Sequence, residues 1–172
     1  MWAIFVCFNL NLRMGFPFAF KTSYNHFYLY DKGSFGNTGS DDFWTESALD
    51  DRLAIEEGIL GIGTESYGPV KGELFLLEAS NHEIRFEEYD HVVEASFAVN
   101  SEVVQILDCP NSSVELELPV KPGIYRVRIY SSNLASFDID ERDEGDDFYK
   151  IEIWPDVYVD RKVLKRFNRI AR

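Results

Sequence analysis

The stretch Val114-Glu115-Leu116-Glu117-Leu118-Pro119-Val120-Lys121-Pro122-Gly123-Ile124-Tyr125-Arg126-Val127-Arg128-Ile129-Tyr130 decides the fold class. Its first five residues alternate apolar and acidic without error. After Pro122-Gly123 the alternation resumes, with Tyr125, Val127 and Ile129 set against Arg126, Arg128 and Tyr130. A period of two sends successive side chains to opposite faces, the signature of a strand that buries one of them. Pro122 fixes φ and Gly123 tolerates positive φ, so the pair predicts a type II turn.

The same period recurs outward from that stretch. Tyr149, Ile151 and Ile153 alternate with Lys150, Glu152 and Trp154 as far as Pro155, and Val93, Ala95, Phe97 and Val99 make another apolar set. Shorter strands are expected over residues 24–30, 73–77 and 103–107. Residues 45–57 contain no Gly or Pro and read as a helix, with Thr45 as N-cap, Trp44 and Leu49 as a hydrophobic staple, and Gly58 as the C-terminal cap. Residues 161–172 read as a basic amphipathic C-terminal helix, because Val163, Leu164, Phe167, Ile170 and Ala171 share a face at helical spacing. Such a helix is expected to dock on its own acidic body. Residues 33–41 are glycine-rich loop and 139–147 a solvated acidic one. The expectation is all-β: a β-sandwich or barrel-like domain of about seven strands, one inserted helix and the C-terminal helix.

At 172 residues the chain has the length of one domain. Residues 14–160 form the β-rich unit, and 1–13 read as a non-core extension ahead of a second start at Met14. That opening run lacks a basic n-region and is interrupted by Asn9 and Asn11, which argues against a secretory signal. No apolar run reaches the ~20 residues of a membrane helix. With only Cys7 and Cys109 there is no disulfide framework, and a reducing, cytoplasmic setting is expected. Apolar content of 45% and aromatic content of 15% exclude wholesale disorder.

Charge narrows the function class. The net charge is −13, and residues 1–159 hold 29 of the 30 acids but 11 of the 17 bases, a balance of −18. Such a field repels nucleic acid and anionic membranes and attracts basic proteins or cations. The acids concentrate in Asp138, Asp140, Glu141, Asp143, Glu144, Asp146 and Asp147, broken only by Arg142 as a base. As an EF-hand this run fails, because Arg142 and Asp143 stand where an oxygen ligand and a glycine belong. A looser calcium site, a protein-contact surface and plain solvated loop remain as its readings.

Catalytic patterns are missing. There is no Cys-x-x-Cys, no His-Glu-x-x-His and no Gly-x-Ser-x-Gly. His91 and Glu94 lie three apart on a strand and so face opposite ways, and His82-Glu83 reads as surface. Gly58, Gly61 and Gly63 follow a helix rather than opening one, which fits a tight turn or close packing instead of a phosphate loop. The chain is read as non-enzymatic, with no cofactor and no metal. Tyr24, Tyr28 and Tyr30, with His26, are placed on one strand face, either packed between sheets or exposed as a contact surface.

Two blocks carry a family likeness. Ser23-Tyr24-Asn25-His26-Phe27-Tyr28-Leu29-Tyr30-Asp31-Lys32, then Trp44-Thr45-x-x-Ala48-Leu49 and Ala54-x-x-x-Gly58, resemble the bacterial competence protein J family. Leu118-Pro119, Pro122-Gly123 and Tyr125 are similar to a later, less specific motif of it, and residues 126–134 and 145–155 resemble a broader set of bacterial β-domains. The likeness covers about a third of the chain; residues 33–40, the acidic loop and the basic tail depart from it. It implies an inhibitor of a DNA-entry nuclease. Joined to the charge, it gives an immunity- or inhibitor-type protein that neutralises a basic nuclease or toxin, with Asp138, Asp140, Glu141, Asp143, Glu144, Asp146, Asp147, Tyr24, Tyr28 and Tyr30 as partner-binding residues. The rival readings are a structural or regulatory interaction module and a metal-dependent hydrolase.

Overall fold

The structure is a computed structural model and describes residues 14–136 and 145–168. Two sheets face each other. The first holds six strands in the order β1 (Gly15–Lys21), β5 (Pro69–Leu76), β10 (Phe148–Pro155), β9 (Gly123–Ser132), β6 (His91–Val99) and β11 (Lys162–Lys165). The second orders β3 (Leu53–Glu56), β4 (Ile59–Gly63), β2 (His26–Asp31), β7 (Val103–Leu107) and β8 (Val114–Pro119). Every neighbouring pair is antiparallel except β5 with β10. Of the sandwich and barrel-like alternatives the all-β sandwich is the one observed, with eleven strands among the described residues rather than about seven.

Alternation explains the core directly. Val127 lies across from Ala95 on one side and Ile153 on the other, and all three are buried. Tyr125, Val127 and Ile129 face Phe27, Leu29, Leu60, Ile62 and Ile106 of the other sheet in one apolar cluster. Truncating a fully buried aromatic such as Phe27 costs about 3–5 kcal/mol.

Asp31, at the end of β2, is a charged group buried inside. Its carboxylate accepts from the backbone N–H of Asn100 and Ser101, both at 3.0 Å, and from the Ser101 hydroxyl. The turn from β6 to β7 is thereby fastened to the second sheet.

Three local expectations are corrected. The helix α1 covers only Glu46–Asp50, and Leu53–Glu56 is a strand instead. Thr45 caps it as expected, its hydroxyl accepting from Ala48 N at 3.2 Å. Arg52 then takes φ 56°, which ends the helix, and Leu53–Glu56 pairs with Ile59–Gly63 through a turn where Gly58 holds φ 67°. Gly58 has the left-handed conformation expected of it, but in a hairpin. Tertiary pairing overrides helix propensity here.

The tail is the second correction. Lys162–Lys165 is an edge strand, not a helix, paired to β6 with Lys162 across from Glu94 and Val163 across from Val93. The β6 edge offers free backbone partners, and Val163 and Phe167 still reach the core from there. Residues 169–172 of the expected helix lie outside the described residues. Third, Pro122-Gly123 links strands of different sheets, and Gly123 has φ 157° rather than the about +80° of a type II turn.

Candidate functional site

β2 sends Phe27 and Leu29 into the main core and His26, Tyr28 and Tyr30 to the outer face of its sheet. That face is covered. Tyr28 is buried with Phe43, Ala48, Ile59 and Leu107 in a second cluster, against which Tyr30 and Trp44 pack. Gly61 lies across from Tyr28, where a Cβ would stand 2.8 Å from Trp44 Cζ2 and 2.9 Å from Phe43 Cζ. Close packing is therefore the task of Gly61, as its sequence context indicated. Tyr30 donates its hydroxyl to Ser34 O at 3.0 Å.

The expectation of Tyr24, Tyr28 and Tyr30 as one contact face is corrected, and the packed alternative holds for Tyr28 and Tyr30. Tyr28 is held beneath residues 43–48, Tyr30 is half-buried, and Tyr24 precedes the strand and is 59% exposed. Aromatics on a central strand bury more area against a cover than they gain from water.

His26 sits where covered and open regions meet. Its Nδ1 is 2.8 Å from Tyr24 O and its Nε2 2.9 Å from the Tyr28 hydroxyl. A carbonyl only accepts, so Nδ1 carries the proton and Nε2 accepts from Tyr28. Burial lowers the His26 pKa, against the backbone hydrogen bond to Tyr24, and keeps the ring neutral. Burial, then the neighbouring Cys109 thiol at 3.7 Å, pushes Tyr28 well above its ordinary value.

Beside this ring lies a groove of about 430 Å³. Tyr24, His26, Trp44 and Leu49 give it apolar walls, with Asn25, Arg52, Gly63 and Thr64 completing the lining. Asn25 is fixed by φ 55° and by donating to Glu65 O and Ser66 O at 3.1 and 3.2 Å. Arg52 is paired with the Glu65 carboxylate, so the cation at the groove is already answered. Trp44 and Leu49, expected to staple the helix, both border the groove, and Leu49 is 60% exposed. The staple pattern pointed at this pair without revealing that it stays open.

Of the acidic run, Asp138, Asp140, Glu141, Asp143 and Glu144 lie outside the described residues. The residues flanking them are joined to one another: Asp146 N donates to Ser136 Oγ at 3.0 Å and Asn133 Nδ2 to Asp146 O at 3.2 Å. Asp146 is exposed, 3.8 Å from Lys71 Nζ. Asp147 is buried, which corrects its place among solvated contact residues. Its Oδ2 accepts from Glu65 N, Ser66 N and the Tyr149 hydroxyl at 3.2, 3.2 and 2.6 Å. Two open backbone donors at the β4–β5 turn draw this carboxylate in. The neck of the acidic segment is thus tied to the turn that follows Gly63 and Thr64 of the groove.

The basic tail docks on its own body, as a strand with flanking arginines. Arg161 Nε and Arg166 Nη2 grip the two oxygens of Asp51 at 2.8 and 2.5 Å. Burial works against ionisation of Asp51, but both arginines together hold its pKa below the usual range. Next to it His91 Nε2 donates to Asp51 O at 3.1 Å, while Nδ1 accepts from Phe167 N at 3.3 Å. Burial pushes the His91 pKa down to about 4. Glu94 leaves the opposite face of the same strand to meet Arg126 and Arg128. His91 and Glu94 do not converge, and no group of three or more His, Cys, Asp or Glu among the described residues is arranged to hold a metal ion. No helix among the described residues is long and apolar enough to cross a membrane.

One assembly escaped the sequence reading. On the outer face of the first sheet Arg128 is flanked across strands by Glu94 and Glu152, and all three are buried. Tyr130 donates to Glu152 Oε2 at 2.6 Å and Lys150 meets Oε1 at 2.8 Å. Burial raises the Glu152 pKa, but these hydrogen bonds outweigh it and hold the carboxyl below its ordinary value. Opposite charges at matching strand positions were the available signal.

No protein-family model and no curated protein matches the chain. Two solved structures share its fold. ComJ from Bacillus subtilis, inhibitor of the DNA degrading activity of NucA, superposes with a TM-score of 0.63 at 18% identity, over 83% of this chain and 98% of that one. Crocagin biosynthetic gene J does so with a TM-score of 0.53 at 18% identity, over 84% of this chain and 98% of that one. The competence protein J likeness read from the motifs is therefore present in the fold itself.

Proposed function

We propose that this chain, built on a fold it shares with a nuclease inhibitor, is a non-enzymatic binding protein that neutralises a basic nuclease or nuclease-like toxin. The observation that carries the reading is the fold shared with ComJ over 83% of the chain. Charge supports it: the net charge of −13 suits a partner whose cleft is cationic because it binds phosphates. An acidic protein fills such a cleft without chemistry of its own, by standing where the nucleic acid would lie.

The test is titration of the purified protein into plasmid digestion by NucA and by any nuclease encoded beside its own gene. Stoichiometric loss of cleavage with one of them is expected, and full cleavage by both in molar excess of the protein overturns the reading. Changing Asp138, Asp140, Asp143 and Asp146 together to Asn is expected to slow association by about tenfold or more, as removal of steering charge does. A second reading, a structural or regulatory module for a basic partner without enzymatic activity, draws on the likeness to a biosynthetic protein. Tight binding that leaves partner activity intact would favour it.

A further inference from the structure

We propose that the groove between Tyr24, Trp44 and Leu49 is the anchor point for the basic partner, taking one large apolar side chain from a lysine- or arginine-rich segment. This rests on the binding-protein reading above and adds where the partner is gripped and by what chemistry. The walls are apolar, and the two most prominent, Tyr24 and Leu49, are 59% and 60% exposed. Its volume of about 430 Å³ has room for an aromatic side chain and part of the backbone that carries it. Of its polar groups, His26 is engaged at both ring nitrogens and Arg52 is paired with Glu65, while the buried Trp44 indole N–H has no hydrogen-bond partner among the described residues. The floor thus presents no free charge to an occupant.

The rim decides what kind of chain brings the anchor. Residues 41–57 hold seven acids and one base. Asp51 is neutralised by the tail arginines. Asp41, Asp42, Glu46 and Asp50 have no ion-pair partner among the described residues, whereas Glu56 and Glu57 lie at the far end of the β3–β4 hairpin beside Ser34 and Gly36. Glu46 sits three residues before Leu49 on the same helical turn, and Asp50 follows it, so unpaired negative charge lies beside the apolar wall. A desolvated apolar anchor with charge beside it gives a contact both affinity and steering. Lysines or arginines flanking an aromatic or long aliphatic residue complement this arrangement; an acidic or purely polar segment does not.

The test uses the full chain with two peptide probes, Gly-Lys-Lys-Phe-Lys-Lys-Gly and its Phe→Ala analogue, followed by amide and indole NMR shifts. The Phe peptide is expected to move the Trp44 indole and the Tyr24, Asn25 and Leu49 amides, and to bind about tenfold or more tighter than the Ala peptide. Tyr24→Ser with Leu49→Ser should abolish that difference while leaving the melting temperature unchanged, since both side chains are exposed. Equal binding of both peptides, shifts mapped elsewhere, or no binding overturns the proposal. So does self-association that the double variant dissolves, which would give the groove to a second copy. Where a nuclease is inhibited, the double variant is expected to weaken inhibition about 30-fold or more. Inhibition untouched by it overturns the groove and leaves the nuclease reading standing; peptide capture with no nuclease inhibited does the reverse.

Discussion

The two outer faces of the sandwich bury polar and aromatic groups in opposite ways. On the first sheet Glu94, Arg126, Arg128, Tyr130, Lys150 and Glu152 bind one another and leave little for a partner. On the second, Tyr28, Phe43 and Trp44 seal most of the face but stop short of Tyr24 and Leu49, and Glu46 and Asp50 beside them have no ion-pair partner among the described residues. Charge that is paired and buried serves the fold; charge left unpaired next to exposed apolar surface is available to a partner.

The sharpest way to break the closed face is Glu94→Ala. Glu94 is the acceptor for both Arg126 and Arg128, and the side chains of all three are about nine-tenths buried. Removing it leaves Arg126 only Asp156, at 3.6 Å, and Arg128 only the neutral acceptors Asn81 O and the Tyr130 hydroxyl, so a loss of about 3 kcal/mol is expected in urea unfolding. A change below about 1 kcal/mol would show that this face is wet rather than sealed.

The next largest effect is acid-driven. His91 has a folded pKa of about 4 against 6.5 for an unperturbed ring, because burial, helped by the Arg52 and Arg166 cations, outweighs its hydrogen bond to Asp51 O. Its contribution is fully present above pH 6.5 and is lost progressively as pH falls from there to about 4, since the unfolded chain takes up the proton first. The linkage amounts to about 3 kcal/mol. Stability measured at pH 7 and pH 4.5 in the native protein and in His91→Gln should show the wild type losing more. Asp51 also binds fewer protons when folded, so the variant keeps part of the slope.

On the aromatic face, Gly61→Ala puts a methyl group into the Trp44 and Phe43 rings. Overpacking of this kind costs about 1–3 kcal/mol. Altered tryptophan fluorescence is expected with it, because Trp44 must shift. An unperturbed spectrum with full stability would mean that the cover is looser than the packing indicates.

These elements also separate what the sequence could reveal from what it could not. Strands whose alternation is complete, such as Gly123–Ser132 and Phe148–Pro155, were legible because each side of the pattern has one destination. Leu53–Glu56 was not, since Leu, Ala, Ile and Glu serve a helix as well as a strand, and only Ile59–Gly63 across the turn decides between them. The tail misled for the same reason: Val163 and Phe167 fit one helical stripe and equally fit an edge strand followed by a bend. The groove was half legible. Trp44 and Leu49 stood out, but Asn25, Arg52 and Thr64 come to them only through long-range pairing.

The smallest expected effect separates two neighbouring carboxylates. Asp146 and Asp147 are adjacent in an acidic run and indistinguishable by composition, yet one is exposed and the other accepts from two backbone N–H groups and a phenol. Asp147→Ala leaves Glu65 N and Ser66 N without that acceptor, a loss of about 1–3 kcal/mol. Asp146→Ala removes only a 3.8 Å pairing with Lys71 between two exposed side chains, so its stability change should stay within about 0.5 kcal/mol. If partner binding depends on steering, Asp146→Ala should slow association measurably at low salt and hardly at all near 0.5 M, where the Debye length has shrunk to about 4 Å. Equal destabilisation by the two changes would make the whole neck structural. A salt-independent association rate in both would move the recognition entirely to the apolar groove.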